Sequence, residues 1–153
     1  MLNQPARSKR ILVVDDEATL VFFLKQDLAE AMLPSEIPAC HPSMARHPEM
    51  AHHYVDVASS GEDALTKLTY NRYDLLITDL NMPGISGFTL VEVARSLYPD
   101  IKVILMTAFG SREVQEEAKN LDIDGYLTKP FPTVQLRDMA RNILFTDNNV
   151  HTA

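Results

Sequence analysis

Cysteine is nearly absent: 153 residues contain only Cys40, so no internal disulfide can form and a reducing compartment is the simpler expectation. Long apolar runs are missing too. After the basic residues Arg7, Lys9 and Arg10 the hydrophobic stretch Ile11–Val14 is shorter than a signal-peptide core of about 7–15 residues. No uncharged segment approaches the roughly 18 apolar residues of a membrane span. A soluble, cytoplasmic protein with no membrane partner is expected. Glycine is scarce, at five residues, and neither GxGxxG nor GxxxxGK[ST] occurs, which argues against a nucleotide- or flavin-binding module built on a glycine-rich phosphate loop. Basic residues are outnumbered 14 to 21, for a formal net charge of −7. That is the wrong sign for a surface that grips a phosphate backbone, so no direct nucleic-acid binding is expected.

What is present is the composition of a folded domain, with 46% hydrophobic and 23% charged residues, in a length that suits one domain. Short apolar runs rich in β-branched residues alternate with segments of helical periodicity. The strand candidates are Ile11–Val14, Tyr54–Ala58, Leu75–Thr78, Lys102–Met106 and Gly125–Thr128. The helix candidates are Thr19–Met32, Glu62–Tyr70, Phe88–Tyr98, Arg112–Asn120 and Thr133–Phe145. Strictly alternating strands and helices predict an α/β, doubly wound parallel sheet with right-handed crossovers. Ser59 with Glu62 fits a capping box, Pro99 closes the third helix, and Pro132 sits just ahead of the last one.

The stretch Leu33–His53 interrupts this rhythm with Pro34, Pro38, Pro42, Pro48, His41, His47, His52 and His53. It is an insertion between the first helix and second strand, longer than the 2–6 residues usual there, either a loop or the carrier of a short helix near Met44–Ala51. A helix-to-strand link arrives at the amino end of the sheet, away from the chemistry. Its histidines and Cys40 match no zinc spacing. The expected organisation is a tail over 1–8, a domain over 9–145 containing the insertion 33–53, and a tail over 146–153.

In such a sheet ligands bind at the carboxyl ends of the strands. Those ends carry Asp15-Asp16-Glu17, Asp79, Thr107-Ala108 and Lys129-Pro130. Clustered carboxylates repel one another unless a cation compensates, and an oxygen-only donor set favours Mg²⁺ or Mn²⁺. With such an ion and Lys129 offsetting its charge, Asp79 can attack a phosphoryl group while Thr107 donates a hydrogen bond to it. Each residue also has a plainer reading. Asp15 or Asp16 can be a helix cap, Lys129-Pro130 a turn, Thr107 an ordinary strand-end residue, and Tyr126 a half-buried core aromatic. Met82-Pro83-Gly84 is by itself only a tight turn.

Four segments together resemble a response-regulator receiver domain of two-component signalling. They are Ile11-Leu-Val-Val-Asp-Asp-Glu17, Asp74-Leu-Leu-Ile-Thr-Asp-Leu-Asn-Met-Pro-Gly84, Val103-Ile-Leu-Met-Thr-Ala108 and Asp124-Gly-Tyr-Leu-Thr-Lys-Pro-Phe131. The resemblance covers roughly Lys9 to Phe145 apart from the insertion. It implies a five-stranded parallel sheet in the flavodoxin-like order 2-1-3-4-5 with helices on both faces. It makes Asp79 the phosphoacceptor, with Asp16 ligating Mg²⁺ directly, Asp15 through water, and the Asn81 carbonyl completing the protein ligands. Thr107 and Lys129 contact the phosphoryl group, Tyr126 changes rotamer as Thr107 moves, and the small Ala108 leaves access to Asp79. The implied partners are a sensor histidine kinase or phosphotransfer protein as donor and a downstream effector protein. A homodimer through the fourth helix, fifth strand and fifth helix is a further option. The expectation is a signalling receiver, not a multiple-turnover enzyme, that catalyses only its own phosphorylation and slow dephosphorylation and signals through protein contacts.

Two other functions compete. A haloacid-dehalogenase-type phosphatase also uses a strand-end Asp, Mg²⁺ and Lys, and Asp15-x-Glu17-x-Thr19 echoes its first motif. That family, however, expects a second Asp where Glu17 stands, and there is no cap domain. A degenerate receiver that serves only for docking is disfavoured by the presence of every key side chain.

Overall fold

The structure is a computed structural model and describes residues 8–31 and 53–145. The expected helix near Met44–Ala51, most of the insertion and the tail beyond Phe145 lie outside the described residues. The elements follow in the order β1 (Arg10–Val14), α1 (Ala18–Ala31), β2 (Tyr54–Ala58), α2 (Gly61–Tyr70), β3 (Leu75–Asp79), α3 (Gly87–Leu97), β4 (Lys102–Thr107), α4 (Arg112–Asn120), β5 (Gly125–Thr128) and α5 (Thr133–Phe145). All strand pairs are parallel and the sheet order is β2-β1-β3-β4-β5.

The period of two along each strand divides the core. Ile11, Val13, Leu75, Ile77, Ile104 and Met106 point to the face covered by α1 and α5, where they meet Leu24, Leu28, Leu136 and Ala140. Leu12, Val14, Leu76 and Val103 point the other way, against Ala64 and Leu68 of α2 and Leu90, Val91 and Ala94 of α3. A smaller cluster of Leu80, Leu105 and Ala118 seats α4. Because helices cover both faces, the central strands read as continuous apolar runs.

Element ends shift by a residue in several places, as at the start of β1 and at both ends of α1 and α3, and other local expectations change as well. β3 and β4 each extend one residue further, through Asp79 and Thr107, because the ladder continues past them: Leu80 N–H donates to the Met106 carbonyl at 2.8 Å, and Lys129 N–H to the Thr107 carbonyl at 2.7 Å. The cap of α2 is Ser60, not Ser59: its hydroxyl accepts from Asp63 N–H at 3.1 Å, and the Asp63 carboxylate reaches back to Ser59 N–H at 3.4 Å. Finally, His53, the last residue of the expected insertion, is tied to the flanking elements: its Nδ1 accepts from Lys9 N–H at 2.9 Å and its ring meets Phe145 edge-on at 5.2 Å. No helix among the described residues is long and apolar enough to cross a membrane.

Candidate functional site

The carboxyl ends of β1, β3, β4 and β5 meet on one rim because the sheet order puts β1 beside β3, β3 beside β4 and β4 beside β5. Asp15 follows β1 directly and is fully buried. Its Oδ1 accepts from Glu17 N–H at 2.9 Å, the local bond that turns the chain toward α1. Asp79 ends β3 at 6% exposure, and its Oδ1 accepts from Asn81 N–H at 3.3 Å. The first turn of α3 lies close against it: a Cβ on Gly87 would fall 2.4 Å from the Asp79 carbonyl oxygen, so only glycine fits.

Lys129, just past β5, places its Nζ 2.5 Å from Asp15 Oδ2 and 3.3 Å from Asp79 Oδ2. Asp16 is exposed at the mouth. One carboxylate oxygen from each of Asp15, Asp16 and Asp79 lies within 4.8 Å of the others. Three carboxylates and one ammonium leave two negative charges uncompensated. Burial, the largest influence, pushes the Asp79 carboxyl above its usual range; the Lys129 charge opposes this and the Asp15 charge adds to it. Burial alone would lower the Lys129 ammonium, but its bond to Asp15 and the charges of Asp15 and Asp79 outweigh it and hold it raised. A small divalent cation held by hard oxygen donors fits this deficit, and the three carboxylates could hold one.

Thr107 is fully buried at the end of β4. Its hydroxyl donates to the Phe109 carbonyl at 3.2 Å and accepts from Phe109 N–H at 3.1 Å. Ala108 is exposed beside it on the rim. Tyr126 packs inward on the Leu80, Leu105 and Ala118 cluster. Its hydroxyl is buried without a hydrogen-bond partner, 3.0 Å from where a Cβ on Gly110 would stand. Burial raises that hydroxyl's pKa.

This arrangement agrees with comparison to known proteins. The family described as response regulator receiver domain matches residues 36–141. The chain belongs to the response regulator receiver family. It is 34% identical over 138 residues to the response regulator protein FleR of Pseudomonas aeruginosa, covering 90% of this chain and 25% of that one. It is 32% identical to sporulation initiation phosphotransferase F of Bacillus subtilis, covering 60% of this chain and 74% of that one. Among solved structures, the response regulator TrrA of Thermotoga maritima, in complex with Mg²⁺ and BeF, superposes with a TM-score of 0.67 at 32% identity, covering 89% of this chain and 99% of that one. The chemotaxis protein CheY4 of Vibrio cholerae gives 0.71 at 26% identity, covering 90% and 100%. The chain spans half or less of several curated relatives, 25% of FleR and 46% of the probable transcriptional regulator ycf29 of Porphyra purpurea.

The receiver is thus a two-component signalling domain, and neither a haloacid-dehalogenase-type phosphatase nor a degenerate receiver that serves only for docking is favoured. Asp15 and Asp16 precede the span matched by the family, yet the sheet order brings them to Asp79 and Lys129. Asn81 is exposed next to this cluster, with its backbone N–H already tied to Asp79. Sequence reasoning missed two parts of the receiver's rim, the Phe109 backbone that holds the Thr107 hydroxyl and the Glu17 N–H that orients Asp15. Main-chain partners leave no mark in side-chain identity. A two-residue offset from an Asp or Thr at a strand end was the available signal.

Proposed function

We propose that Asp79 accepts a phosphoryl group from the phosphohistidine of a sensor kinase or phosphotransfer protein, and that the resulting acyl phosphate repacks the α4–β5–α5 face to signal to an effector protein. The observation carrying this reading is the convergence of Asp15, Asp16, Asp79 and Lys129 from three strand ends into one partly buried pocket. A carboxylate oxygen of Asp79 forms the new O–P bond as the P–N bond breaks, and the electron pair of that bond leaves with the imidazole of the donor. Lys129, already 3.3 Å from Asp79, moves its ammonium onto a phosphoryl oxygen while keeping Asp15. Thr107 turns its hydroxyl from the Phe109 carbonyl toward another.

Asp16, Asp79 and the Asn81 carbonyl would hold Mg²⁺ or Mn²⁺ directly, with Asp15 acting through water. The ion would supply charge neutralisation for the phosphoryl oxygens. Ala108, small and on the rim, leaves the approach to Asp79 open. The buried, unpartnered hydroxyl of Tyr126 beside Gly110 supports a two-state element in which Tyr126 changes rotamer as Thr107 moves, biased by a local charge event. Slow attack of water on the acyl phosphate returns the domain to its starting state. The chain catalyses these two steps on itself alone, in the cytoplasm.

Incubation with acetyl phosphate and Mg²⁺ tests the acceptor. Intact mass should rise by one phosphoryl group in the wild type and not in Asp79→Asn. Turnover of many phosphate esters without a trapped adduct would instead favour a phosphatase.

A further inference from the structure

Among the described helices α4 buries the fewest residues, Ala118 alone, so what holds it must be sought at its ends. The carboxyl end closes with Ile123 N–H donating to the Ala118 carbonyl at 3.2 Å and Asp122 N–H to the Lys119 carbonyl at 3.1 Å. This six-to-one and inner pair of bonds places Asp122 at φ +53°, a left-handed position that glycine usually takes. The Leu121 and Asp122 carbonyls are left without partners in the helix.

Arg95, reaching across from α3, supplies them. One guanidinium nitrogen donates to the Leu121 carbonyl; the other donates to the Asp122 carbonyl at 2.7 Å and to Asp124 Oδ2 at 3.3 Å. Asp124 is fixed in turn, with Oδ2 accepting from Val103 N–H at 2.8 Å and its own N–H donating to the Val103 carbonyl at 3.0 Å. The carboxyl end is therefore bonded to α3 and to β4. The bonds described at the amino end are local ones: Ser111 Oγ accepts from Val114 N–H at 3.3 Å, and Gln115 Nε2 donates to the Gly110 carbonyl at 3.2 Å. That end leads back through Phe109 to Thr107.

We propose that Arg95 is a positioning residue that makes the carboxyl end of α4 the fixed pivot of the receiver's switch, so that activation moves residues 107–115 and leaves 117–124 in place. The inference rests on the phosphoacceptor reading of Asp79 and adds where the moving segment stops. A fork of donors capping two backbone carbonyls and a carboxylate is a use of arginine that lysine cannot reproduce.

Amide hydrogen exchange with and without beryllofluoride and Mg²⁺ tests it. In the wild type, exchange of 107–115 should change several-fold while that of 117–124 stays constant. Arg95→Met should speed exchange of 117–124 by about tenfold or more in both states, since the end then opens locally, with α2 exchange unchanged as the control for folding. Adding Asp122→Gly to Arg95→Met should slow it again, because glycine takes the positive φ without the clamp. Equal changes in both segments of the wild type overturn the pivot while leaving the acceptor reading intact, and so does an Arg95→Met protein with wild-type exchange at 117–124. The absence of any beryllofluoride response at 107–115 overturns both. The wild-type comparison decides whether the pivot exists even if the variants fold poorly.

Discussion

Asp79 carries a cost in the metal-free domain. Burial holds its carboxyl above the usual range, so the ionised form is worth less in the folded state than in the unfolded one. The sign follows directly: the group's contribution is most favourable when protonated and is lost as pH rises through its folded-state value, so at neutral pH it destabilises. Asp79→Asn, which keeps the shape and leaves Lys129 with Asp15, is expected to raise the metal-free melting temperature. Calorimetry in EDTA checks it, and a lowered melting temperature would contradict it. Tyr73 gives a second case at the opposite end of the sheet. The residue is 1% exposed, and its hydroxyl donates to Asp56 Oδ2 at 2.7 Å. Burial first, then the Asp56 bond and charge, push its pKa far above the ordinary tyrosine value. That stability is fully present below about pH 10, where the unfolded tyrosine titrates, and is lost progressively above it. Chemical denaturation at pH 8 and pH 11 should show a drop for the wild type. A smaller drop is expected for Tyr73→Phe, which at pH 8 starts about 1.5 kcal/mol lower through the missing bond to a charged acceptor.

At the scale of elements, the tight seat of α3 against β3 is the contact on which the position of Asp79 depends. Gly87→Ala would put a methyl group 2.4 Å from the Asp79 carbonyl, and backbone cannot yield as a side-chain tip can. The expected cost is about 1–3 kcal/mol in denaturant unfolding, accompanied by weaker Mg²⁺ binding. Unchanged stability would mean that α3 is free to slide. The elements themselves were legible because strands buried on both faces must be apolar throughout, and Leu75–Ile77 and Val103–Met106 are. Their ends were harder to read. Asp79 and Thr107 are polar yet remain in the ladder, since the sheet's backbone bonds do not depend on side-chain polarity. Ser59 and Ser60 stand before Glu62 and Asp63 respectively, so two capping boxes overlap and spacing cannot choose; the fold uses Ser60 with Asp63. The acidic rim was readable because its charged side chains stand at the ends of apolar runs. Arg95 was not, because it binds mostly backbone carbonyls of residues 121 and 122.

For the whole molecule, a net charge of −7 is spread over a surface that bears both signs, while three acids are concentrated in one pocket with Lys129. If that pocket holds Mg²⁺ in the folded state only, the ion must stabilise the domain by about 2.7 kcal/mol at a hundred times its dissociation constant. Mg²⁺ titration followed by thermal melting should therefore raise the wild-type transition, with Asp16→Asn responding less at equal ion concentration. Equal responses would place the ion elsewhere. The doubly wound sheet brings residues 15, 79, 107 and 129 to one rim, and the proposed bond at Asp79 is expected to act through this rim on the face of α4, β5 and α5. The acceptor is the claim on which everything else depends, and reductive trapping tests it most directly. Treatment of the phosphorylated protein with borohydride reduces an acyl phosphate to an alcohol, which converts the modified aspartate to homoserine. Peptide sequencing by mass spectrometry is expected to find homoserine at position 79 after acetyl phosphate and Mg²⁺. Homoserine at another aspartate, or none at any position while the protein remains folded and Mg²⁺-bound, would contradict the account.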